Sequence, residues 1–387
     1  MAAVYSPVEM LDRLVAFDTT SRESNLELIH FVRDYLADHG VASDLIHDET
    51  GNKANLWATV GPVADGGIVL SGHTDVVPVD GQDWSSNPFE VRKANGKLFG
   101  RGTADMKGFI ACALAAVPEM NKRQLNRPIH FALSYDEEVG CLGARGLVEH
   151  VEGLPVRPRA VIVGEPTDLS VVNAHKGSIG VHTTVHGLEG HSSKTHQGVN
   201  AIMYAAELIA ELARMAEEYK APAFQNERFD PPYSTINVGL IKGGTAPNII
   251  PKQSRFTWEC RAVPQMNPRD VFERFKTYCA DEVVPRMRKV HPQADITHEI
   301  RAEVPGLLPD EGGSWESLML ALANSNQTYA VSYGTEAGLF QGVGVPAVVC
   351  GPGNIEQAHK PDEFVEESQI AECSQLIGRV LDHLEGK

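Results

Sequence analysis

The chain has 387 residues, 42% of them apolar and 22% charged, with a net charge of −17. That is the composition of a globular protein with room for roughly two to three domains, and so acidic a surface argues against nucleic acid as a partner. No run of 18 apolar residues suggests a membrane span, and "MAAVYSPVEM" lacks the basic-then-apolar pattern of a signal peptide. The six cysteines are scattered without a C-x-x-C pair, which predicts reduced thiols and a cytoplasmic protein.

In chain order, "SPVEMLDRLVAF" predicts a helix capped by Ser6, with Pro7 in its first turn and Glu9 closing a capping box. "NLELIHFVRDYLADHG" predicts a second helix, with Leu28, Phe31, Val32, Tyr35 and Leu36 at helical spacing and Gly40 as its stop. "NLWATVG", "GIVLSGHTD", "IHFALSYDEE", "AVIVGEP" and "VPAVVCGPG" read as buried strands, and "GFIACALAAVPEM" as a buried helix. Apolar strands alternating with helices predict an α/β domain, with a mixed, largely parallel sheet and helices on both faces.

The middle of the chain has another rhythm. Val181, Thr183 and Val185 alternate with His182, Thr184 and His186, as in a strand with one exposed face. "NAIMYAAELIAELARMAEEYK" predicts an amphipathic helix with Ile202, Ala206, Ile209 and Ala213 as its apolar stripe. "STINVGLIKGG", "RFTWECRAV", "PRDVFERFKTYCADEVVPRM" and "DITHEIRAEV" complete a β-α-β-β-α-β order, the ferredoxin-like pattern. Residues 180–304 are therefore expected to form an α+β domain inserted into a domain built from 1–179 and 305–387.

Several strands end on metal-competent side chains: His73 and Asp75; Asp136, Glu137 and Glu138; Glu165. Asp105 precedes a helix, and His359 follows the last strand. Ligands of open α/β sheets sit beyond the carboxyl ends of the strands, so distant segments can deliver these groups to one place. Imidazoles with carboxylates suit two zinc ions if one carboxylate bridges them. Asp75 is better placed to orient His73 than to bind metal.

The motifs "SGHTDVVP", "GRGTADMKGF", "DEEVGCLGARGL", "VGEPT", "GHSSKTHQGVNAI", "GGTAPNIIP" and "AHKPDEFV" resemble, in order, those of the dinuclear zinc aminoacylase and carboxypeptidase family. The resemblance runs from about residue 70 to the mid-360s. It implies that His73, Asp105 and Glu165 hold one zinc and that Asp105, Glu138 and His359 hold the other, giving two Zn2+ per subunit, with cobalt able to substitute. It further implies a cis peptide after Asp105, Glu137 as general acid/base, and Asp75 as the group orienting His73. The inserted domain would be a lid and homodimerisation domain, with His191, or else His196, supplying the oxyanion contact. Met106 stands where many relatives carry a second acid, but the bridging Asp105 is kept.

Asn248 and Arg261 match positions that hold a substrate carboxylate, and Gly334 and Thr335 offer a turn near the metals. Glu336 is a candidate for binding a cationic side chain. "GTADMKG" and "YGTEAGLFQ" look most like the branch of the family that deacetylates N2-acetyl-L-ornithine in arginine biosynthesis. Alternatives are a succinyl-diaminopimelate desuccinylase, a broad aminoacylase or dipeptidase, or an inactive ligand-binding relative. The last is disfavoured because Glu137 and the full ligand set are present.

Overall fold

The computed structural model describes residues 2–310 and 313–387. The chain forms two compact units: Met1–Ala174, Pro309–Tyr329 and Thr335–Lys387 make the larger, and His175–Leu308 with Ala330–Gly334 the smaller.

The larger unit is built on one mixed sheet. Its order is Ser43–His47, Ala54–Val60, Ile129–Ser134, Ile68–His73, Ala160–Pro166, Ala347–Gly351 and Val172–His175, followed by the short strand Tyr329–Val331. The four strands from Ile129–Ser134 to Ala347–Gly351 run parallel, and antiparallel partners flank them. Ile68–His73, Ile129–Ser134 and Ala160–Pro166 are buried at every residue, as strands covered on both faces must be. Helix Pro7–Val15 starts with the expected capping box between Ser6 and Glu9. Helix Lys107–Ala115 is buried along nearly its whole length and packs against Pro7–Val15 and the C-terminal helix Glu367–Glu385. Its close approach to the sheet depends on Gly164, where a Cβ would fall within 1.9 Å of the Phe109 ring.

The smaller unit is a four-stranded antiparallel sheet in the order Thr235–Gly243, Gln253–Ala262, Gly177–His186, Asp295–Val304. With helices Ala201–Glu218 and Pro268–Tyr278 it has the expected ferredoxin-like arrangement. Gly177–His186 alternates strictly between buried and half-buried residues. The stripe expected on the first helix is displaced. The buried residues are Ala201, Ala205, Leu208, Leu212 and Met215, while Ile202 and Met203 are exposed. The spacing is right but shifted by one residue, a rotation of about 100°. This helix is apolar on more than one side, and the sheet takes the side that offers two leucines.

All six cysteines are free and buried. Among the described residues, no helix is long and apolar enough to cross a membrane.

Candidate metal centre

His73 is the last residue of a strand held between two parallel neighbours and lies in register with Ser134, while pairing on the other side ends at Ser71. Its ring Nδ1 lies 2.9 Å from the main-chain oxygen of Asp75. A carbonyl can only accept, so Nδ1 carries the proton and Nε2 is the atom turned to the cluster. Nε2 is 3.0 Å from Asp105 Oδ1 and 3.8 Å from Glu165 Oε1. Asp75 thus orients His73 mainly through its carbonyl, with its carboxylate Oδ1 at 3.6 Å from Nδ1. That carboxylate has further work: it accepts from Ser21 Oγ at 2.8 Å and from the N–H groups of Glu137 and Glu138 at 3.1 and 3.3 Å. It therefore fixes the turn that presents both glutamates.

Asp105 sits just ahead of helix Lys107–Ala115, and its peptide bond to Met106 is cis, as expected. Its two carboxylate oxygens face different partners. Oδ1 faces His73, and Oδ2 lies 3.4 Å from His359 Nε2. His359 Nε2 is also 3.0 Å from Glu138 Oε2. His73 and Glu165 lie on one side of Asp105, and His359 and Glu138 on the other. Ligand atoms of His73, Asp105 and Glu138 all lie within 4.8 Å of one another, as do those of His73, Glu137 and Glu165. Either set could hold a cation. Asp136, the first acid of the "DEE" run, points away and pairs with Lys53. Asp136 and His359 both adopt positive φ without being glycine, so each turn is held by its surroundings in a sparsely populated conformation.

The electrostatics explain why this cluster suits cations. Burial and the charge of Glu165 push Glu137 well above the usual carboxylate range. Burial and Asp105 take Glu138 to about 7. Burial, followed by Asp105 and Glu138, takes Glu165 to about 8 against the opposing pull of His73. Hydrogen bonds that its ring N–H donates to Asp105 and Glu138 raise His359 to about 10. Burial would lower His73, but the charge of Glu165 and contacts with Asp105 hold it well above its ordinary value. The carboxylates crowd together and recruit protons onto the imidazoles. The nitrogen and oxygen donors fit divalent ions, which would displace those protons.

Two residues not anticipated in the sequence support the centre. Glu363 is fully buried; its Oε1 accepts from the N–H groups of Ala104 and Asp105 at 3.0 and 3.1 Å, and its Oε2 from Arg101 Nη1 at 2.6 Å. Arg101 Nη2 donates to Gln82 Oε1 at 2.6 Å, and Gln82 Nε2 donates to the main-chain oxygen of His359 at 2.9 Å. One network therefore holds the backbone of both Asp105 and His359. The available signal was that Arg101 and Glu363 lie inside the motifs "GRGTADMKGF" and "AHKPDEFV". Cys141 Sγ lies 3.1 Å from Glu137 Oε1, so its thiol donates to that carboxylate.

The other expected site residues divide by unit. In the smaller unit His191 is exposed, with its Nδ1 2.8 Å from Ser193 Oγ. It pairs in register with Ile249, next to the exposed Asn248, whose carbonyl accepts from Ser192 N–H. The structure thus brings His191 and Asn248 together, and His196 is exposed on the turn that follows. Arg261 is half-exposed and lies against Glu259 at 3.4 Å, so it has an ion-pair partner. Gly334 is half-buried at the end of the smaller unit's second segment.

Thr335 and Glu336 depart from expectation. Thr335 is fully buried, and its hydroxyl accepts from Ala337 N–H. Glu336 is fully buried too, with one oxygen 2.6 Å from Ser71 Oγ and the other 2.8 Å from Ser134 Oγ. A carboxylate enclosed in this way is not presented to a substrate ammonium.

Comparison with known proteins agrees with this geometry. The profile of Peptidase family M20/M25/M40 matches residues 69–383. The chain is 33% identical to acetylornithine deacetylase of Pasteurella multocida (strain Pm70), covering 98% of both chains. It is 35% identical to acetylornithine deacetylase of Myxococcus xanthus, covering 97% of both. Among solved structures, the M20 family metallo-carboxypeptidase Sso-CP2 from Sulfolobus solfataricus superposes with a TM-score of 0.77 at 18% identity, covering 99% of this chain and 100% of that one. The YXEP protein of Bacillus subtilis, described as a dinuclear metal binding peptidase, has a TM-score of 0.66 at 15% identity, covering 97% of both chains. The chain belongs to Peptidase family M20/M25/M40 and is a metal-dependent hydrolase.

Proposed function

We propose that the protein removes the acetyl group from N2-acetyl-L-ornithine, giving ornithine and acetate, with two zinc ions bound to each subunit. The observation that carries the reading is Asp105, whose oxygens face His73 on one side and His359 on the other. The choice of substrate draws on the near full-length similarity to acetylornithine deacetylases.

His73, Asp105 and Glu165 would hold one ion, and Asp105, Glu138 and His359 the other. When bound, the ions supply Lewis acidity and a nucleophile available at neutral pH. The remaining steps belong to side chains. Glu137 takes the proton of the attacking water and delivers it to the leaving amine. A carboxyl group raised by burial and by Glu165 suits both halves of that transfer. Cys141 and the Asp75-bound backbone hold Glu137 in place. His191 would donate to the oxyanion, and Asn248 and Arg261 would hold the substrate carboxylate.

The smaller unit would act as lid and homodimerisation domain in a cytoplasmic enzyme. Its edge strand Thr235–Gly243 leaves Leu240 and Ile241 exposed. Such an edge invites pairing with a second copy.

Hydrolysis of a panel of N-acyl amino acids by metal-reconstituted protein tests the reading, with Glu137→Ala as control. The expected result is highest kcat/KM on N2-acetyl-L-ornithine and none in the control. Equal rates on acetylmethionine would make it a broad aminoacylase. Full turnover after chelation would overturn the hydrolytic mechanism.

A further inference from the structure

We propose that Glu336 is a positioning residue for the metal centre, clamping together the two strand ends that carry His73 and the Glu137–Glu138 turn. This rests on the reading of the centre as a dinuclear hydrolase site. The observation is the pair of hydrogen bonds from Ser71 Oγ and Ser134 Oγ, one to each carboxylate oxygen. All three residues are completely buried.

The register explains what this clamp holds. Ile68–His73 and Ile129–Ser134 are adjacent parallel strands, with Ser71 opposite Ala132 and His73 opposite Ser134. Ser71 lies two residues before His73, so the pleat puts Ser71, His73 and Ser134 on one face. Ser134 is the last strand residue before Tyr135 and the acidic turn. The carboxylate of Glu336 therefore ties the approach to His73 to the approach to Glu137 and Glu138. Glu336 is fixed in turn, because it caps helix Ala337–Gly342, whose Leu339 N–H donates to its carbonyl at 3.0 Å.

Mutual alignment of these two ends sets the spacing between His73 and the Glu137–Glu138 turn, whose side chains would hold the ions and move the proton. Errors of about 1 Å at such a centre cost up to about 100-fold in rate. A clamp placed behind the ligands acts on chemistry and on metal affinity without touching substrate.

The test uses Glu336→Gln, Glu336→Ala, Ser71→Ala and Ser134→Ala in the full-length protein. Each is assayed on N2-acetyl-L-ornithine and on neutral N-acetyl-L-methionine. Zinc stoichiometry and affinity are measured by titration calorimetry, and the absorption spectrum of the cobalt-loaded protein is recorded. A Gln amide can accept from one serine and donate to the other, so Glu336→Gln should stay within about tenfold of wild type.

Glu336→Ala should lower kcat and zinc affinity by about 10–100-fold, equally on both substrates, with KM unchanged and an altered cobalt spectrum. If Glu336→Ala does not fold, the two serine variants should show the same pattern in smaller measure. A rise in KM confined to the cationic substrate would overturn the proposal in favour of direct recognition. Alanine variants with wild-type kcat and affinity would also overturn it. Neither outcome touches the metal dependence of the wild type, whose absence would instead defeat the functional reading.

Discussion

The larger unit buries Asp75, Asp105, Glu165, Glu336 and Glu363, while among the described residues of the smaller unit no acid is buried. The smaller unit's interior is Ile179, Val181, Leu208, Leu212, Phe256, Trp258, Phe275 and their neighbours. Its stability follows from apolar area, with a solvent-facing side to its sheet. The larger unit has an apolar core of its own but gathers more carboxylates around His73 and His359 than the two imidazoles can balance. Buried charge of one sign destabilises a fold unless paired. That cost is tolerated where the charge has a ligand to hold, and so the burden of function falls on one unit.

The sharpest way to break this contrast is Glu137→Gln. It should lower kcat by about 10²–10⁴-fold while zinc content, measured by elemental analysis, stays at the wild-type value. A loss of metal would instead make Glu137 a ligand, as its proximity to His73 and Glu165 allows.

The next effects separate the units by mechanism. Arg101→Ala strands the buried Glu363 carboxylate and should cost about 3–5 kcal/mol together with weaker zinc binding. Phe256→Ala, deep in the smaller unit, should cost a similar 3–5 kcal/mol and leave zinc affinity unchanged. Urea unfolding and calorimetric titration on each variant give both numbers. Metal removal comes third. Each zinc ion held at 100 times its Kd should stabilise the protein by about 2.7 kcal/mol relative to the chelated form, read as a shift in urea midpoint.

The smallest effect concerns pH. His130 is buried, stacked on Trp57 at 4.9 Å between ring centres, and burial lowers it to about 4. The unfolded chain takes up its proton near 6.5. The contribution is therefore complete above 6.5 and is lost as pH falls toward 4. It amounts to about 3 kcal/mol, and His130→Phe should flatten the acid limb of stability against pH. An unchanged acid limb would assign the loss to other groups, His298 in the smaller unit first among them, since burial lowers it to about 4 as well.

How much of this was legible depended on whether a polar residue interrupted an apolar pattern. His73, Glu165 and the acidic turn stand out because each follows an apolar run, Ile68–Leu70, Ala160–Val163 and Phe131–Leu133. The alternation at Val181–His186 announced a one-faced sheet. Glu336 was misread because its partners are hydroxyls 265 and 202 residues away in the chain, and serines in a strand carry no signal of what they bind. Arg101 and Glu363 were hidden by their motif neighbours: a charge beside a ligand looks like surface until its burial is seen. The helix stripe failed for a simpler reason, since Ala and Ile on one side and Ala and Leu on the other satisfy the same period.

The two imidazoles differ in their access to water. The His73 side chain is 1% exposed and that of His359 54%. The half lined by His359 would thus be the one open to solvent, and the half lined by His73 and Glu165 the enclosed one. The half lined by His359 and Glu138 should therefore empty first, so that stripping by a dilute chelator proceeds in two kinetic phases, with a singly loaded species persisting between them.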